Sequence, residues 1–343
     1  MSKYVLSERG NNALRAYTTM LAGAMGVSVV GFSVQQYVAS PSVQQSIESK
    51  IQEDSTFLSM INNTGVPDQE GEKLGLSATG TIAGRTDTSG GGVREGVDPT
   101  GLDDRGYRCE QTNYDTFIRY AKLDMWAKFD NFQELLVNEI VRQIARDIIT
   151  IGWNGTSVAA DTDRVANPLL QDVNIGWLEK LRTEAPAQVM DEFVVASGQV
   201  TVGAGGDYEN LDALVYDAVQ MLHPNVRSDP EMHAFVGHSL IHKKYFPIVN
   251  QDNTPENQLA RDIILSTEQL GGLQAARALN FPATSVFISR FDNLSRYYQD
   301  GKLRREVKDN PAKDRIDTFQ SSNDAFVIEE VEASVLVENI VFI

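Results

Sequence analysis

FDNFQELLVNEIVRQIARDIITIG, Phe129–Gly152, places an apolar residue at every third or fourth position. Phe129, Phe132, Leu136, Ile140, Ile144, Ile148 and Ile151 fall on one helical face. Val137, Val141, Ala145 and Ile149 add a second apolar ridge beside it. Asp130, Gln133, Glu134, Asn138, Glu139, Arg142, Arg146 and Asp147 take the remaining side. The spacing predicts one helix over 129–151, roughly 35 Å long at about 1.5 Å per residue. Gly152 stands where a left-handed C-cap would end it, and Asn154-Gly155 then turns the chain. So broad a stripe suggests burial on more than one side. A central core helix of an ordinary domain would show the same pattern.

Working outward, the chain of 343 residues is long enough for one large or two medium cores. Its 42% hydrophobic and 22% charged residues are a globular composition. A net charge of −17 and a pI of about 4.7 exclude nucleic-acid binding by bulk charge. The lone Cys109 excludes an internal disulfide framework and a cysteine-based zinc site. No apolar run reaches the roughly 18 residues of a membrane span. The mildly apolar run 19–34 follows Lys3, Arg9 and Arg15, but Gly23, Gly26 and Gly31 interrupt it and Glu8 precedes it. It is not read as a secretory signal. The Asn62, Asn154 and Asn293 triplets then carry no glycosylation meaning.

Upstream, residues 11–25 pattern as a short amphipathic helix, with Leu14, Tyr17, Leu21 and Met25 on one face. Residues 31–41 read as extended and loop-like, and 42–61 as helical, with Val43, Ile47, Ile51 and Leu58 on one face. From Gly71 to Tyr120 the period changes. Two strand-like stretches flank RTDTSGGGVREGVDPTGLDD, which predicts a long hairpin with a mobile tip around Arg85, Gly90, Gly91, Gly92 and Arg94. A two-stranded ribbon is marginal alone in water, so this one is expected to lie on a neighbour.

Downstream, 176–189 contains a short helix, 193–202 a strand, 203–206 a flexible joint, and 211–222 a helix. Residues 234–236 are a buried strand, and a helix over 240–245 is expected to stop at Pro247. Strands are expected at 273–278, 285–289, 294–298, 326–328 and 334–343. Helices and strands mix without regular alternation, so the class is α+β.

Chemical motifs are sparse. His238 and His242 have metal-capable spacing, but Ser239 stands where a zincin requires Glu. Gly84–Gly92 lacks the Lys-Ser/Thr of a phosphate loop, and Gly237-His238-Ser239 lacks the second glycine of a nucleophile elbow. Asp103-Asp104 and Glu329-Glu330 read as solvated acids, and Lys243-Lys244 and Arg304-Arg305 are too sparse for a nucleic-acid groove. No catalytic residue, cofactor or metal is assigned.

Several long collinear blocks carry a resemblance. They are SPSVQQSIESKIQEDSTFLSMIN (40–62), GEKLGLSATGTIAGRTDT (71–88), YDTFIRYAKLDMWAKFDNFQ (114–133) and ANPLLQDVNIGWLEKLRTEAPAQVM (166–190). GGDYENLDALVYDA (205–218), KYFPIVN (244–250), NPAKDRIDTFQSSNDAFVIE (310–329) and LVENI (336–340) continue the series. Together, from about Phe32 to Ile340, they resemble the major capsid proteins of P2-like tailed bacteriophages; the first 30 residues match poorly.

The resemblance implies the HK97-type capsid fold. Its parts would be an N-terminal arm (1–66, with 1–31 as a propeptide), an E-loop (67–120) and a P-domain (121–205) holding the spine helix 129–151. An A-domain (206–322) and returning P-domain strands (323–343) would follow. It implies hexamers and pentamers of one subunit in an icosahedral head around double-stranded DNA, built in the host cytoplasm and finishing in the virion. A scaffold and maturation protease, a portal protein and decoration proteins are the implied partners, with no membrane. Cleavage would fall near Val30-Gly31-Phe32, and histidines are not the family's pattern at 238 and 242. An encapsulin-type compartment shell on the same fold is the alternative, and a metal-dependent hydrolase using His238 and His242 a more distant one.

Overall fold

The computed structural model describes residues 34–38, 41–53, 55–72, 77–78, 100–101, 105–126, 132–249 and 269–343, with isolated positions at 12, 15, 16, 19, 83, 85 and 89. Asn12, Arg15, Ala16 and Thr19 are helical and exposed, a spacing that puts them on one polar face. Leu14, Tyr17, Leu21 and Met25 lie outside the described residues.

The chain runs through β1 (Val34–Val38), α1 (Pro41–Glu53), α2 (Thr56–Met60) and β2 (Asn62–Val66). The ribbon follows, with β3 (Glu70–Glu72), β4 (Ser77–Ala78), β5 (Thr100–Gly101) and β6 (Gly106–Arg108). Next come β7 (Glu110–Asn113), β8 (Thr116–Arg119), α3 (Tyr120–Trp126), the long α4 (Phe132–Asn154) and α5 (Trp177–Glu184). After β9 (Val189–Met190) and β10 (Val200–Val202) stand α6 (Leu211–Ala218), β11 (His233–Val236) and α7 (His238–Val249). The remainder is β12 (Gln269–Leu270), β13 (Leu273–Ala276), β14 (Val286–Ser289), β15 (Leu294–Gln299), β16 (Arg304–Asn310), β17 (Arg315–Ile328), β18 (Val335–Val337) and β19 (Ile340–Phe342).

Helix α4 follows the predicted stripe. Leu136 and Ile140 are half-buried; Ile144, Ala145, Ile148, Ile149 and Ile151 are buried, while Asn138, Glu139, Arg142, Gln143 and Arg146 face solvent. Its end differs from expectation, because the helix runs through Gly152 to Asn154. Gly152 is a packing position and not a cap: a Cβ there would sit 2.3 Å from the buried Trp177 ring. Gly155 closes the helix, its N–H donating to the Ile151 carbonyl at 2.8 Å, with the Asn174 carbonyl pressed against its Cα. Gly152→Ala should therefore cost about 1–3 kcal/mol through overpacking, read as a lower melting temperature with the fold retained.

The helix ends in an aromatic core. Trp153 meets Trp177 and Phe281 edge-on at 5.0 Å each, and Phe235 at 5.4 Å and Phe57 at 5.6 Å in tilted contacts, between centroids. Trp177 reaches Phe326 at 5.1 Å and donates its indole N–H to the Ser295 carbonyl at 3.0 Å. These rings come from α2, α4, α5 and strands of two different sheets, so α4 is the common support of both.

One sheet has seven strands in the order β1-β16-β17-β15-β2, with β7 and β8 also on β17. β17 spans 14 residues and pairs antiparallel with β16, β8, β7 and β15 along its length. The other sheet has six strands, β12-β13-β11-β14-β18-β9, and β10 pairs parallel with β19 beside it. β14 and β18 are buried at every position, as strands covered on both faces must be. The chain is α+β, as read from the sequence.

Several expectations need correction. The helical stretch 42–61 is two helices, with Ser55 capping the second by accepting from the Leu58 N–H at 3.4 Å. Residues 31–41 include a paired strand, β1 on β16. In 193–202 only the last three residues are strand; the rest turns, held by side chains described below. α7 continues through Pro247 to Val249, and the proline removes one backbone donor from its last turn without ending the helix there. Strands β16 and the first part of β17 have no clear sequence signal, because KDNPAKDR looks like a solvated loop. Residues 294–328 share a sheet with β2, whereas β18 and β19 pair with strands of the other half.

Candidate assembly surfaces

The ribbon has a single register. β3–β6 pairs Glu70 with Arg108, and β4–β5 pairs Ala78 with Thr100, eight residues further along on each strand. Ser89, midway in sequence between these paired residues, lies in a turn. At its base Tyr107 stands edge-on to Tyr297 at 5.0 Å, and Gly71 leaves room for the Tyr107 ring. Cys109 beside it is fully buried, and burial pushes its thiol up to about 12. Arg85 is exposed; Gly90, Gly91, Gly92 and Arg94 lie outside the described residues.

The arm is fastened to the seven-stranded sheet by buried charges. Arg296 on β15, 1% exposed, donates to the Glu48 carboxylate of α1 at 2.6 Å and to Asp324 of β17 at 2.6 Å. Ser322 donates to the second Asp324 oxygen at 2.6 Å. Gln44, one turn before Glu48, donates to the Gln299 carbonyl at 2.9 Å and accepts from the Gly301 N–H at 2.7 Å. Burial raises the Glu48 carboxyl above its ordinary value, with Arg296 opposing and Asp324 adding to the rise. The apolar face read from the sequence is Val43, Ile47, Ile51 and Leu58, and Gln44 and Glu48 are not part of it. Their partners lie on strands about 250 residues away, so no local signal announced them.

Of the exposed apolar side chains, two sets stand out by position. On the open face of the seven-stranded sheet Phe117 and Phe319 are half exposed, and the Arg315 guanidinium lies 4.6 Å above the Phe117 ring. A hollow of about 320 Å³ beside them is lined by Gln111, Asn113, Arg304, Arg305 and Phe319. Between β9 and β10, Phe193, Val194 and Val195 project into solvent. The sequence reading missed this second surface by taking it for strand.

The remaining expected positions can be placed. Phe132 opens α4, its side chain outside the description. Val30, Gly31 and Phe32 also lie outside it, and β1 begins at Val34. His238 and His242 are exposed on α7, and the His242 ring stacks on Phe246 at 5.1 Å. Among the described residues no three His, Cys, Asp or Glu side chains form a metal-holding group, and no helix is long and apolar enough to cross a membrane.

Residues 13–340 match the family model of phage major capsid proteins of the P2 family. The chain belongs to that family. The match begins at residue 13 and not near Phe32, so the family pattern extends into the first 30 residues. The "Capsid proteins" of Escherichia phage P2 are 41% identical over 331 residues, 95% of this chain and 92% of theirs. The major capsid protein of Serratia phage KSP20 is 38% identical over 313 residues, 90% of each chain. A chain of the satellite phage P4 procapsid structure that includes the size determination (Sid) protein superimposes with a TM-score of 0.82 at 39% identity. That alignment covers 96% of this chain and 97% of that one.

This is a P2-family major capsid protein with the HK97-type capsid fold. Capsid proteins of this kind assemble as many copies into a shell, and their place is the virion. The aromatic core around Trp153 joins the two sheets.

Proposed function

We propose that copies of this capsid protein form hexamers and pentamers that tile an icosahedral head around double-stranded DNA. The observation that carries this reading is the family match over nearly the whole chain, from residue 13 to 340. The role is structural, without catalysis or cofactor. The seven-stranded sheet with α4 and α5 serves as the P-domain, the six-stranded sheet with α6 and α7 as the A-domain, and β3–β6 as the E-loop lying across a neighbouring subunit. At a net charge of −17, contact with packaged DNA is weak and non-specific, which leaves the DNA free to be ejected. A scaffold and maturation protease, a portal protein and decoration proteins complete the assembly, which takes place in host cytoplasm. The content of purified particles tests this. Nuclease-protected double-stranded DNA is expected; a single packaged enzyme without DNA would instead mark an encapsulin-type compartment.

The segment before β1 acts during assembly and is then removed near Val30-Gly31-Phe32. β1 pairs with β16 from Val34 onward, so a cut there leaves the first paired strand in place. Intact-mass spectrometry of subunits from DNA-filled virions should find a chain beginning close to residue 31. A subunit starting at Met1 or Ser2 would overturn the cleavage and leave the capsid role untouched.

A further inference from the structure

We infer that the loop 192–198 is a contact by which one copy of this chain meets a second copy in the shell, an inference that rests on the shell-forming role proposed above. Phe193, Val194 and Val195 are 50%, 57% and 88% exposed, three consecutive apolar side chains held in water. Such a patch on a folded protein marks a surface that something covers.

The loop is built to hold that shape. The Glu192 carboxylate accepts from the Ala196 N–H at 2.8 Å and the Gly198 N–H at 2.9 Å. Ser197 N–H donates to the Val194 carbonyl at 2.9 Å. Ala196 and Gly198 both adopt left-handed φ, at 66° and 63°. For Ala196 that conformation is costly, and the Glu192 bonds offset the cost. The Phe193 ring stands edge-on to Tyr208 at 5.2 Å, which props the base of the loop. A rigid apolar projection loses little conformational entropy when it docks.

Charge selects a second copy as the occupant. Every copy carries −17, so two copies repel wherever acidic surfaces meet. Between Glu192 and Asp207, whose carboxylates are both taken up by hydrogen bonds within this segment, residues 193–206, FVVASGQVTVGAGG, contain no charged side chain, so here two copies approach at lower electrostatic cost than where acidic surfaces meet. Val341 on β19, 40% exposed and paired with Thr201 of β10, adds a further exposed apolar side chain beside the loop.

Val195→Cys provides the test. Cys109 is buried with its thiol shifted to about 12, so the introduced thiol is the reactive one. Maleimide labelling is compared between shells made only of this chain and subunits dissociated from them. Labelling slowed by roughly tenfold or more in shells is expected, because burial in a contact excludes the reagent. Equal rates in both states would overturn the inference. Protection that appears only when DNA or another virion protein is added would also overturn it, by naming a different occupant. In parallel, Val195→Asp should keep the wild-type melting temperature and lower shell yield about tenfold by placing a charge in the contact. Unchanged yield would count against the contact. Failure of the wild-type chain to form any shell would overturn the proposed function itself, a separate and recognisable outcome.

Discussion

Ile148→Asp is expected to yield no soluble folded subunit. Ile148 is 1% exposed, in the half of the spine helix that supports both sheets. A carboxylate there has no partner, and burying it unpaired costs several kcal/mol, on top of the lost side-chain packing. A domain's whole stability is about 5–15 kcal/mol, so one such change consumes much of it. Ile144→Asp should behave similarly, since Ile144 is 6% exposed. Ile140 is only half-buried, and aspartate there can turn toward water; that variant should stay soluble with a lowered melting temperature. Soluble yield and circular dichroism of the three variants read the gradient. Wild-type behaviour from Ile148→Asp would mean that the stripe is not a core.

Arg296→Met should be almost as damaging, for the opposite reason. The substitution fills the space but leaves Glu48 and Asp324 facing each other without a cation, at 2–3% side-chain exposure. Removing one partner of a buried ion pair typically costs about 3–5 kcal/mol. The arm helix α1 should detach first, because Glu48 and Gln44 are its buried polar contacts with the sheet. Neutralising the acids as well, with Glu48→Gln and Asp324→Asn, should recover much of the loss, and denaturant melts of the single and triple variants measure it. pH adds a second readout. The Glu48 carboxyl is raised above about 4.5, chiefly by burial. Its contribution is therefore complete below the unfolded value and declines as pH rises through the folded one. Glu48→Gln should flatten that part of the stability profile.

The spine was legible because a helix that buries a broad stripe must repeat apolar residues at its own period, and Leu136 to Ile151 do so. The ribbon was legible for a converse reason: it has glycine, charge and alternation but no core of its own. Gly152 misled because glycine at a helix end usually marks a cap, and only the Trp177 ring shows why it is needed inside. Phe193–Val195 misled because three apolar residues in a row suit a buried strand, and a strand's local pattern does not reveal that side-chain bonds from Glu192 fold it into an exposed turn. β16 and β17 are obscured by their charge: Lys308 is exposed, but Asp317 and Asp324 are buried only once the sheet has formed. The Arg296–Glu48–Asp324 cluster was invisible in principle, since its members are brought together only by the completed fold.

The central claim is that this subunit is made to assemble. Negative-stain electron microscopy with sedimentation velocity on the purified full-length chain, alone and with a scaffolding partner, tests it most directly. Closed shells or ring-shaped capsomers are the predicted result. A single 37.9 kDa species at every concentration in both conditions would contradict it.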